Sequence, residues 1–298
     1  MANWYFWAMR TTFLSLTILL IFLSTGLAQE IPMDSLFLPG ERIKEISEPA
    51  LEEVSGIAFS HLHSNLLYLH VDSGGESAVF LMDSLGKSLG KITLLDTPNR
   101  DWEDIAVGVG PKGESYVYVG EIGDNAGIYS DIKLYRFPEP KKLSDNLEIK
   151  PEVAVLNYPD GAKDAETLMV DPWTGEIYIL SKRDEKNTLY RVPKDAFSKK
   201  ESVLEELIKL PFSSAVAGDI SADGTQILIK NYFAVYYWER KKGESLTDAL
   251  SRMPVRLPYV PEPQGEAVGF SLNGKSYYTI SEKRFNIQPF LYRYPSKN

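Results

Sequence analysis

The sequence has no cysteine and only 3 histidines among its 298 residues. The absence of cysteine excludes disulfide bonds, thiolate metal sites and a lipid anchor attached through cysteine. The histidines, at positions 61, 63 and 70, do not form a ligand motif, so we expect no imidazole site for zinc or iron. Stability must therefore come from the hydrophobic core and from the topology of the chain.

Basic residues are also few: 32 Lys and Arg stand against 41 Asp and Glu, which gives a formal net charge of −9. Nucleic-acid binding normally needs a basic surface, so we expect no nucleic-acid partner. The sequence also lacks the His-Glu-x-x-His motif of zinc metalloproteases. Composition alone leaves open whether the protein is an enzyme.

Only one long apolar run is present, at residues 13–23. It follows a basic residue and precedes small residues, with Gly26 and Ala28 at the −3 and −1 positions of a cut before Gln29. The run is shorter than the ~20 residues that a membrane-spanning helix needs. We therefore predict a signal peptide at residues 1–28, a secreted or periplasmic protein, and no stable membrane anchor after cleavage. The alternative is an uncleaved anchor.

A short pattern of a small or acidic residue, a second residue and an aliphatic residue recurs five times. The copies lie at residues 55–59, 103–107, 166–170, 218–222 and 266–270, which are 48, 63, 52 and 48 residues apart. A turn and three further strand-like runs follow each copy where the chain is long enough. Repeats of 40 to 50 residues with several short strands are typical of propeller blades. The sequence predicts an all-β fold, a single five-bladed β-propeller over residues 29–298.

The fifth repeat ends at Asn298 without room for a fourth strand. The strand-like segment 41–46 precedes the first repeat, and pairing it with the last blade would close the ring and cover two open sheet edges. We therefore expect an N-terminal strand to close the propeller. A β-sandwich is the alternative fold, and six blades would need an additional blade within residues 126–165.

The first positions of the repeats are Ser55, Glu103, Glu166, Gly218 and Glu266. In a propeller they lie beside the central channel on one face. Three converging carboxylates repel one another unless they are protonated, paired with cations or bound to a metal. Calcium takes 6–8 oxygen ligands. The predicted calcium ligands are therefore Ser55, Glu103, Glu166 and Glu266.

Polar residues at the ends of the second strands and in one connecting loop belong to the same face. The candidates for binding a substrate or ligand there are Arg100, Glu121, Lys182, Arg183, Lys230 and Asn231. The alternative needs no metal, because Lys182, Arg183 and Lys230 can pair with the three glutamates in a rigid ionic plug. The sequence does not decide between the two.

The ring Ser55, Glu103, Glu166, a small residue and Glu266 resembles the central calcium site of the calcium-activated nucleotidase (apyrase) family, whose members are five-bladed propellers. The resemblance implies a calcium cofactor held by those four residues. Gly218 departs from the family pattern because it has no side-chain oxygen, although Asp219 or a water can compensate. The nucleotide-contacting segments of the family have no match, so the resemblance does not imply nucleotidase activity.

The segments Asp-Trp-Glu-Asp-Ile-Ala at 101–106 and Val-Gly-Glu-Ile-Gly-Asp-Asn at 119–125 are similar to exported bacterial propellers related to SdiA-regulated and phytase-like propellers. No residue set in the sequence forms a recognisable general base with its orienting partner. This favours an exported binding protein with a cation in its acidic channel and a small-molecule, glycan or protein ligand on that face. One alternative is a calcium-dependent hydrolase of phosphate esters or anhydrides. Another is a scaffold whose charged face only confers solubility.

Overall fold

The computed structural model describes residues 32–33 and 36–297. The predicted signal peptide at residues 1–28 lies outside this part, and its cleavage stays a prediction. In the described part, no helix is long and apolar enough to span a membrane. Strands account for nearly all of the regular structure there. The helical elements are one α-helix and three 3₁₀ turns, at Leu246–Leu250, Pro49–Leu51, Pro111–Gly113 and Ala196–Ser198.

The strands form five antiparallel sheets arranged as propeller blades, which confirms the predicted fold class. Strand β1 (Glu41–Glu45) precedes them all. The first blade contains β2 (Val54–Phe59), β3 (Leu66–Val71), β4 (Ala78–Asp83) and β5 (Ser88–Leu94). The second contains β6 (Trp102–Val109), β7 (Ser115–Glu121) and β8 (Ile132–Pro138), then, after an intervening strand β9 (Asn146–Ile149), β10 (Glu152–Asn157).

The remaining blades follow the same plan. The third contains β11 (Ala165–Val170), β12 (Ile177–Ser181), β13 (Thr188–Arg191) and, after β14 (Ser202–Val203), β15 (Glu205–Lys209). The fourth contains β16 (Ala215–Ile220), β17 (Gln226–Asn231), β18 (Val235–Glu239) and β19 (Val255–Leu257). The fifth contains β20 (Ala267–Phe270), β21 (Ser276–Ile280) and β22 (Phe290–Pro295).

The fifth blade takes its fourth strand from the N-terminal side of the chain. Strand β1 pairs antiparallel with β22, with Glu41 opposite Arg293 and Glu45 opposite Phe290. The expected closure by an N-terminal strand is therefore confirmed. The first strands of neighbouring blades contact one another all the way round, from β2 through β6, β11, β16 and β20 back to β2.

The long step between the second and third repeats does not hide another blade. Strand β9 leaves the second blade and pairs parallel with β5 as a fifth strand of the first blade. Strand β14 does the same between the third and second blades, where it pairs parallel with β10. The residues between 126 and 165 are thus used by β8, β9 and β10, and a sixth blade is excluded.

One hydrophobic cluster lies between each pair of neighbouring blades. Because each blade is covered on both faces, strands such as β2 and β3 are buried along their whole length and read as continuous apolar runs. Hairpin turns between first and second strands use glycine at positive φ, for example Gly224 (φ 76) and Gly274 (φ 65).

The topology defines two faces. The first strands begin on what we call the entry face, which carries the loops between second and third strands and the connections between blades. The entry-face loops and connections span 46–53, 72–77, 95–101, 122–131, 158–164, 182–187, 210–214, 232–234, 258–266 and 281–289. The loops between first and second strands, and between third and fourth strands, lie on the opposite face.

Candidate functional site on the entry face

Irregular strand pairing positions the ring residues at the start of each first strand. The register between first and second strands shifts at Ser55, Glu103 and Glu166, because each of these residues is an extra residue in its strand. In the fifth blade, Glu266 immediately precedes β20. These four predicted positions are therefore equivalent in the fold.

The fourth position was assigned wrongly to Gly218. The register shift in β16 falls between Ala215 and Ala217, so Val216 holds the ring position and Gly218 pairs further along, with Ile229. The distance to the following turn would have identified it, because Ser55 and Glu266 each lie five residues before the serine that opens the turn, as Val216 does. The ring reads Ser, Glu, Glu, Val, Glu, and valine offers no side-chain ligand.

Asp219 does not compensate for the missing oxygen. Its Oδ2 accepts a hydrogen bond of 2.7 Å from the amide of Phe270, and its Oδ1 accepts one of 2.8 Å from the amide of Ile220. These bonds tie the fourth blade to the fifth. Burial raises the pKa of Asp219 to about 7. Its carboxylate lines a small cavity near the opposite end of the first strands.

Two groups of carboxylates meet on the entry face and share Glu103. One group is Asp72, Asp101 and Glu103; the other is Glu103, Asp164 and Glu166. In each group, one oxygen per residue lies within 4.8 Å of the others, which is close enough to hold a metal ion. These acidic residues could therefore bind a metal.

Burial and mutual repulsion disfavour the ionised form of the carboxylates in these groups. Burial raises the pKa of Glu103 well above its usual value, and the charges of Asp72 and Asp101 raise it further. Burial also raises the pKa of Asp101 to about 6, with smaller contributions from Asp72 and Asp164. Protons or a cation would relieve this repulsion.

Because Gly123 has no side chain, there is room beside it for the carboxylates of Glu103 and Asp101. A Cβ atom at this position would overlap Glu103 Oε1 and would lie 2.6 Å from Asp101 Oδ2. The Gly123 amide also donates to the carbonyl of Asp101 at 3.2 Å. The loop 122–131 is therefore packed directly against both acidic side chains.

The other side of the ring already has a cation. Lys182 Nζ contacts Glu166 Oε1 and lies 3.7 Å from Glu266 Oε1. The Tyr232 hydroxyl donates to Glu266 Oε1 at 2.5 Å, and the Tyr232 ring lies 5.2 Å from Lys182 Nζ. The expected ionic plug thus exists for Glu266 and for one oxygen of Glu166. The second oxygen, Oε2, is buried and has no hydrogen-bond partner.

Glu282 joins this side of the ring. Its carboxylate is buried, and burial followed by the charge of Glu266 raises its pKa to about 8. Arg284 Nε lies 3.1 Å from its Oε2. Glu282 is therefore protonated over much of the neutral range in the absence of a bound cation.

The other predicted binding residues are engaged in local contacts. Arg183 Nε donates to Asp164 Oδ2 at 2.5 Å. Arg100 Nη2 donates to the carbonyl of Asp131 at 2.8 Å, and its guanidinium stacks on Tyr129 at 4.1 Å. Glu121 is fully buried and accepts from Lys133 Nζ at 3.2 Å.

Lys230 and Asn231, at the end of β17, also lie away from solvent. Lys230 is fully buried, its Nζ donates to the carbonyl of Gly265, and burial lowers its pKa to about 8. The Asn231 side chain accepts from the amides of Phe233 and Ala234, both at 2.9 Å, and so shapes the turn before β18.

Several site residues were not identified as ligands from the sequence. Asp101 and Asp164 each lie two residues before a ring glutamate, so an Asp-x-Glu spacing in the second and third blades was the available signal. Asp72 and Tyr232 directly follow the second strands of their blades, as Lys182 does, so their repeat position places both on this face. The sequence does not show which residues at that position reach the ring.

One sequence motif does not form the phosphate-binding structure that it matches. Residues 269–276 read Gly-x-x-x-x-Gly-Lys-Ser, which matches a phosphate-binding loop. Here they form the hairpin between β20 and β21, and no helix follows. The helix N-terminus that binds phosphate in such loops is therefore missing.

Comparisons with known proteins add little beyond the fold. No protein-family model matches the sequence, and no curated protein matches it. Among solved structures, the chain is similar to the Pan2 WD40 domain of Neurospora crassa, with 13% identity, a TM-score of 0.46, and coverage of 90% of this chain and 98% of that one. It is also similar to a luciferin-regenerating enzyme, with 13% identity, a TM-score of 0.49, and coverage of 88% and 96%. At these values neither structure informs the function of this protein.

Proposed function

We propose that this protein is an exported β-propeller binding protein that holds a divalent cation, calcium, among the carboxylates of its entry face. The observation that carries the proposal concerns Glu166 Oε2, a buried carboxylate oxygen without a hydrogen-bond partner among the described residues. A buried charged oxygen is costly unless it is paired. Glu166 belongs to the group with Glu103 and Asp164, where a cation would supply the missing partner.

The donor set suits calcium better than a transition metal. Both carboxylate groups contain only aspartate and glutamate, and calcium prefers oxygen ligands in an irregular shell. Glu103, shared by both groups, is the central ligand, with Asp101, Asp164 and Glu166 around it. Glu266 is left out, because it belongs to neither carboxylate group and its Oε1 already accepts from the Tyr232 hydroxyl and lies 3.7 Å from Lys182 Nζ. The Ser55 hydroxyl donates a hydrogen bond of 2.9 Å to the backbone carbonyl of Glu103 and so links the first ring position to the second.

Binding is favoured over hydrolysis by the state of the cationic side chains. A hydrolase of phosphate esters would need lysine or arginine groups free to meet phosphate charge. Lys182 is held by Glu166, Arg183 by Asp164, and Lys230 is buried. We infer that the cation orients a small-molecule, glycan or protein ligand on the entry face, outside the cell or in the periplasm.

Calorimetric titration of calcium into chelator-treated protein tests the cation site. We expect saturable binding by the wild type and at least about tenfold weaker binding by Glu166→Gln, because the variant loses a charged ligand. Gly123→Ala keeps every charge but places a methyl group against Glu103 and Asp101, and it should weaken binding similarly.

Glu152→Gln is the matched control. This glutamate pairs with Arg136 at 2.7 Å on an outer strand, so its loss should leave calcium affinity unchanged. Absence of calcium binding by the wild type would refute the proposal. Equal affinity of the wild type and Glu166→Gln would show that the calcium lies elsewhere.

A further inference from the structure

Three blades carry an arginine at the same place in their third strand. Arg136, Arg191 and Arg293 each end a Leu-Tyr-Arg sequence. Each lies opposite a tyrosine of the second strand, namely Tyr118, Tyr178 and Tyr278. Each also lies opposite a glutamate of the fourth strand, namely Glu152, Glu205 and Glu41. The three positions are therefore structurally equivalent and can be compared directly.

Two of these arginines are neutralised within the protein. Arg136 Nη2 lies 2.7 Å from Glu152 Oε2. Arg191 is held by two carboxylates, with Nη2 at 2.7 Å from Glu205 Oε2 and Nη1 at 3.1 Å from Glu176 Oε1. Such pairs use the forked geometry of the guanidinium and leave it unavailable to a ligand.

Arg293 lacks an ion pair. Among the described residues no carboxylate lies within 4.0 Å of its guanidinium, although Glu41 is opposite in the sheet register. The position that Glu176 holds in the third blade is taken by Ser276 in the fifth, since the carbonyl of each accepts from the amide that opens the same turn, Asp171 in the third blade and Ser271 in the fifth. Ser276 Oγ accepts a 3.3 Å hydrogen bond from Arg293 Nε. A hydroxyl thus replaces a carboxylate beside this arginine.

The unpaired guanidinium lines a cavity of about 350 Å³ on the opposite face, between the fifth and first blades. Phe59 and Tyr278 form an apolar wall, with their ring centroids 4.8 Å apart. The other lining residues are mainly hydroxyl and amide side chains: Ser64, Asn65, Ser84, Ser271, Asn273 and Ser276. Arg293 is the only charged residue in this lining.

We propose that this cavity binds a small carboxylated sugar of the uronic-acid class. The guanidinium of Arg293 would take the carboxylate, for which its paired donors are suited. The serine and asparagine side chains can donate to and accept from sugar hydroxyls. The aromatic wall suits the apolar face of a sugar ring, and the volume lies at the lower end of the range for small-ligand sites.

Titration of D-glucuronate followed by protein NMR, in the presence of a calcium chelator, tests this site independently of the entry face. We expect saturable shifts around Tyr278 and Ser84, and no saturable shifts with D-glucose, which lacks the carboxylate. Arg293→Gln should weaken glucuronate binding at least about tenfold, because it removes a charge-assisted hydrogen-bond donor. Arg136→Gln is the matched control and should leave binding unchanged.

A second variant covers the case in which Arg293→Gln unfolds. Asn273 lies in an exposed turn, where its Oδ1 accepts from Ser271 Oγ and the Lys275 amide. Asn273→Asp keeps these acceptors while adding a negative charge at the cavity, so it should weaken glucuronate binding. Equal binding of glucose and glucuronate, or unchanged glucuronate affinity in Arg293→Gln or in Asn273→Asp, would overturn the proposal.

Discussion

The two sides of the entry-face ring start from the same sequence feature and reach different electrostatic states. On one side, Glu103 is grouped with the carboxylates of Asp72, Asp101, Asp164 and Glu166. On the other, Glu266 accepts from Tyr232 and lies within ion-pair distance of Lys182. Both glutamates occupy the same position of their blades and both are buried.

The difference shows that the repeat determines where a ring side chain lies, whereas the loops determine its charge. The loop after β12 brings Lys182 to the Glu266 side, and the connection before β6 brings Asp101 to the Glu103 side. Lys182 supplies a positive charge to the Glu266 side from within the chain. On the Glu103 side, protons or an external cation would reduce the repulsion between the carboxylates.

Removing the internal cation should make the two sides alike. In Lys182→Met, Glu166 and Glu266 lose their shared partner, and breaking a buried ion pair in this way costs about 3–5 kcal/mol. We therefore expect the free energy of unfolding, measured by urea denaturation in chelator, to fall by that amount. Added calcium should restore part of it, because the freed carboxylates become ligands.

Lys150→Met provides the comparison for this variant. Lys150 pairs with Asp96 at 2.8 Å, but both side chains are largely exposed, so its loss should lower the free energy of unfolding far less than Lys182→Met does. If the two variants are equally stable, the Glu266 side does not depend on Lys182 and the contrast between the sides disappears.

The pH dependence of stability should separate the two sides in the metal-free protein. The pKa of Asp101 is raised to about 6 and that of Glu282 to about 8, both chiefly by burial. Between their ordinary values and these values the folded state binds more protons than the unfolded state. The free energy of unfolding must then fall as pH rises from 5 to 8.

Calcium and mutation should remove different parts of this slope. Bound calcium competes with protons on the Glu103 side and should flatten the part below pH 6. Glu282→Gln should flatten the part above pH 6, where Asp101 is already ionised. Urea denaturation at several pH values, with and without calcium, measures both effects. Stability of the metal-free protein that rises over this pH range would contradict the assignment.

Most of the fold could be predicted because it depends on local patterns. The five repeats, the strand runs and the unpaired segment 41–46 were visible in the sequence, and each corresponds to strands in the structure. The exchanges of β9 and β14 between blades were not predicted, because parallel edge pairing leaves no local signal. Because the exchange of β9 could not be predicted, the sequence left open whether residues 126–165 contain a sixth blade.

The site was harder to predict because its chemistry depends on contacts between loops of different blades. Ser55, Glu103, Glu166 and Glu266 were placed correctly in the ring from their repeat position. Lys182 was predicted as a partner of these glutamates in the ionic-plug alternative, but the sequence did not decide which glutamate it pairs with, since Lys182 and Glu266 are 84 residues apart in the chain. Gly218 was assigned to the ring from its residue type alone. The spacing of five residues to the serine that opens the next turn indicates Val216 instead.

The smallest expected effect tests whether the Glu266 side depends on its hydroxyl partner as well as on Lys182. Tyr232→Phe removes the 2.5 Å hydrogen bond to Glu266 Oε1 but keeps the ring beside Lys182. Because Lys182 still neutralises the carboxylate, we expect a loss of about 1 kcal/mol in urea denaturation. In Lys182→Met the same substitution should cost more, because the hydroxyl is then the closer of two neutral donors to Glu266 Oε1, the other being Gln264 Nε2 at 3.4 Å. A double-mutant cycle of the two variants measures this coupling, and strictly additive losses would mean that the two partners act on Glu266 independently.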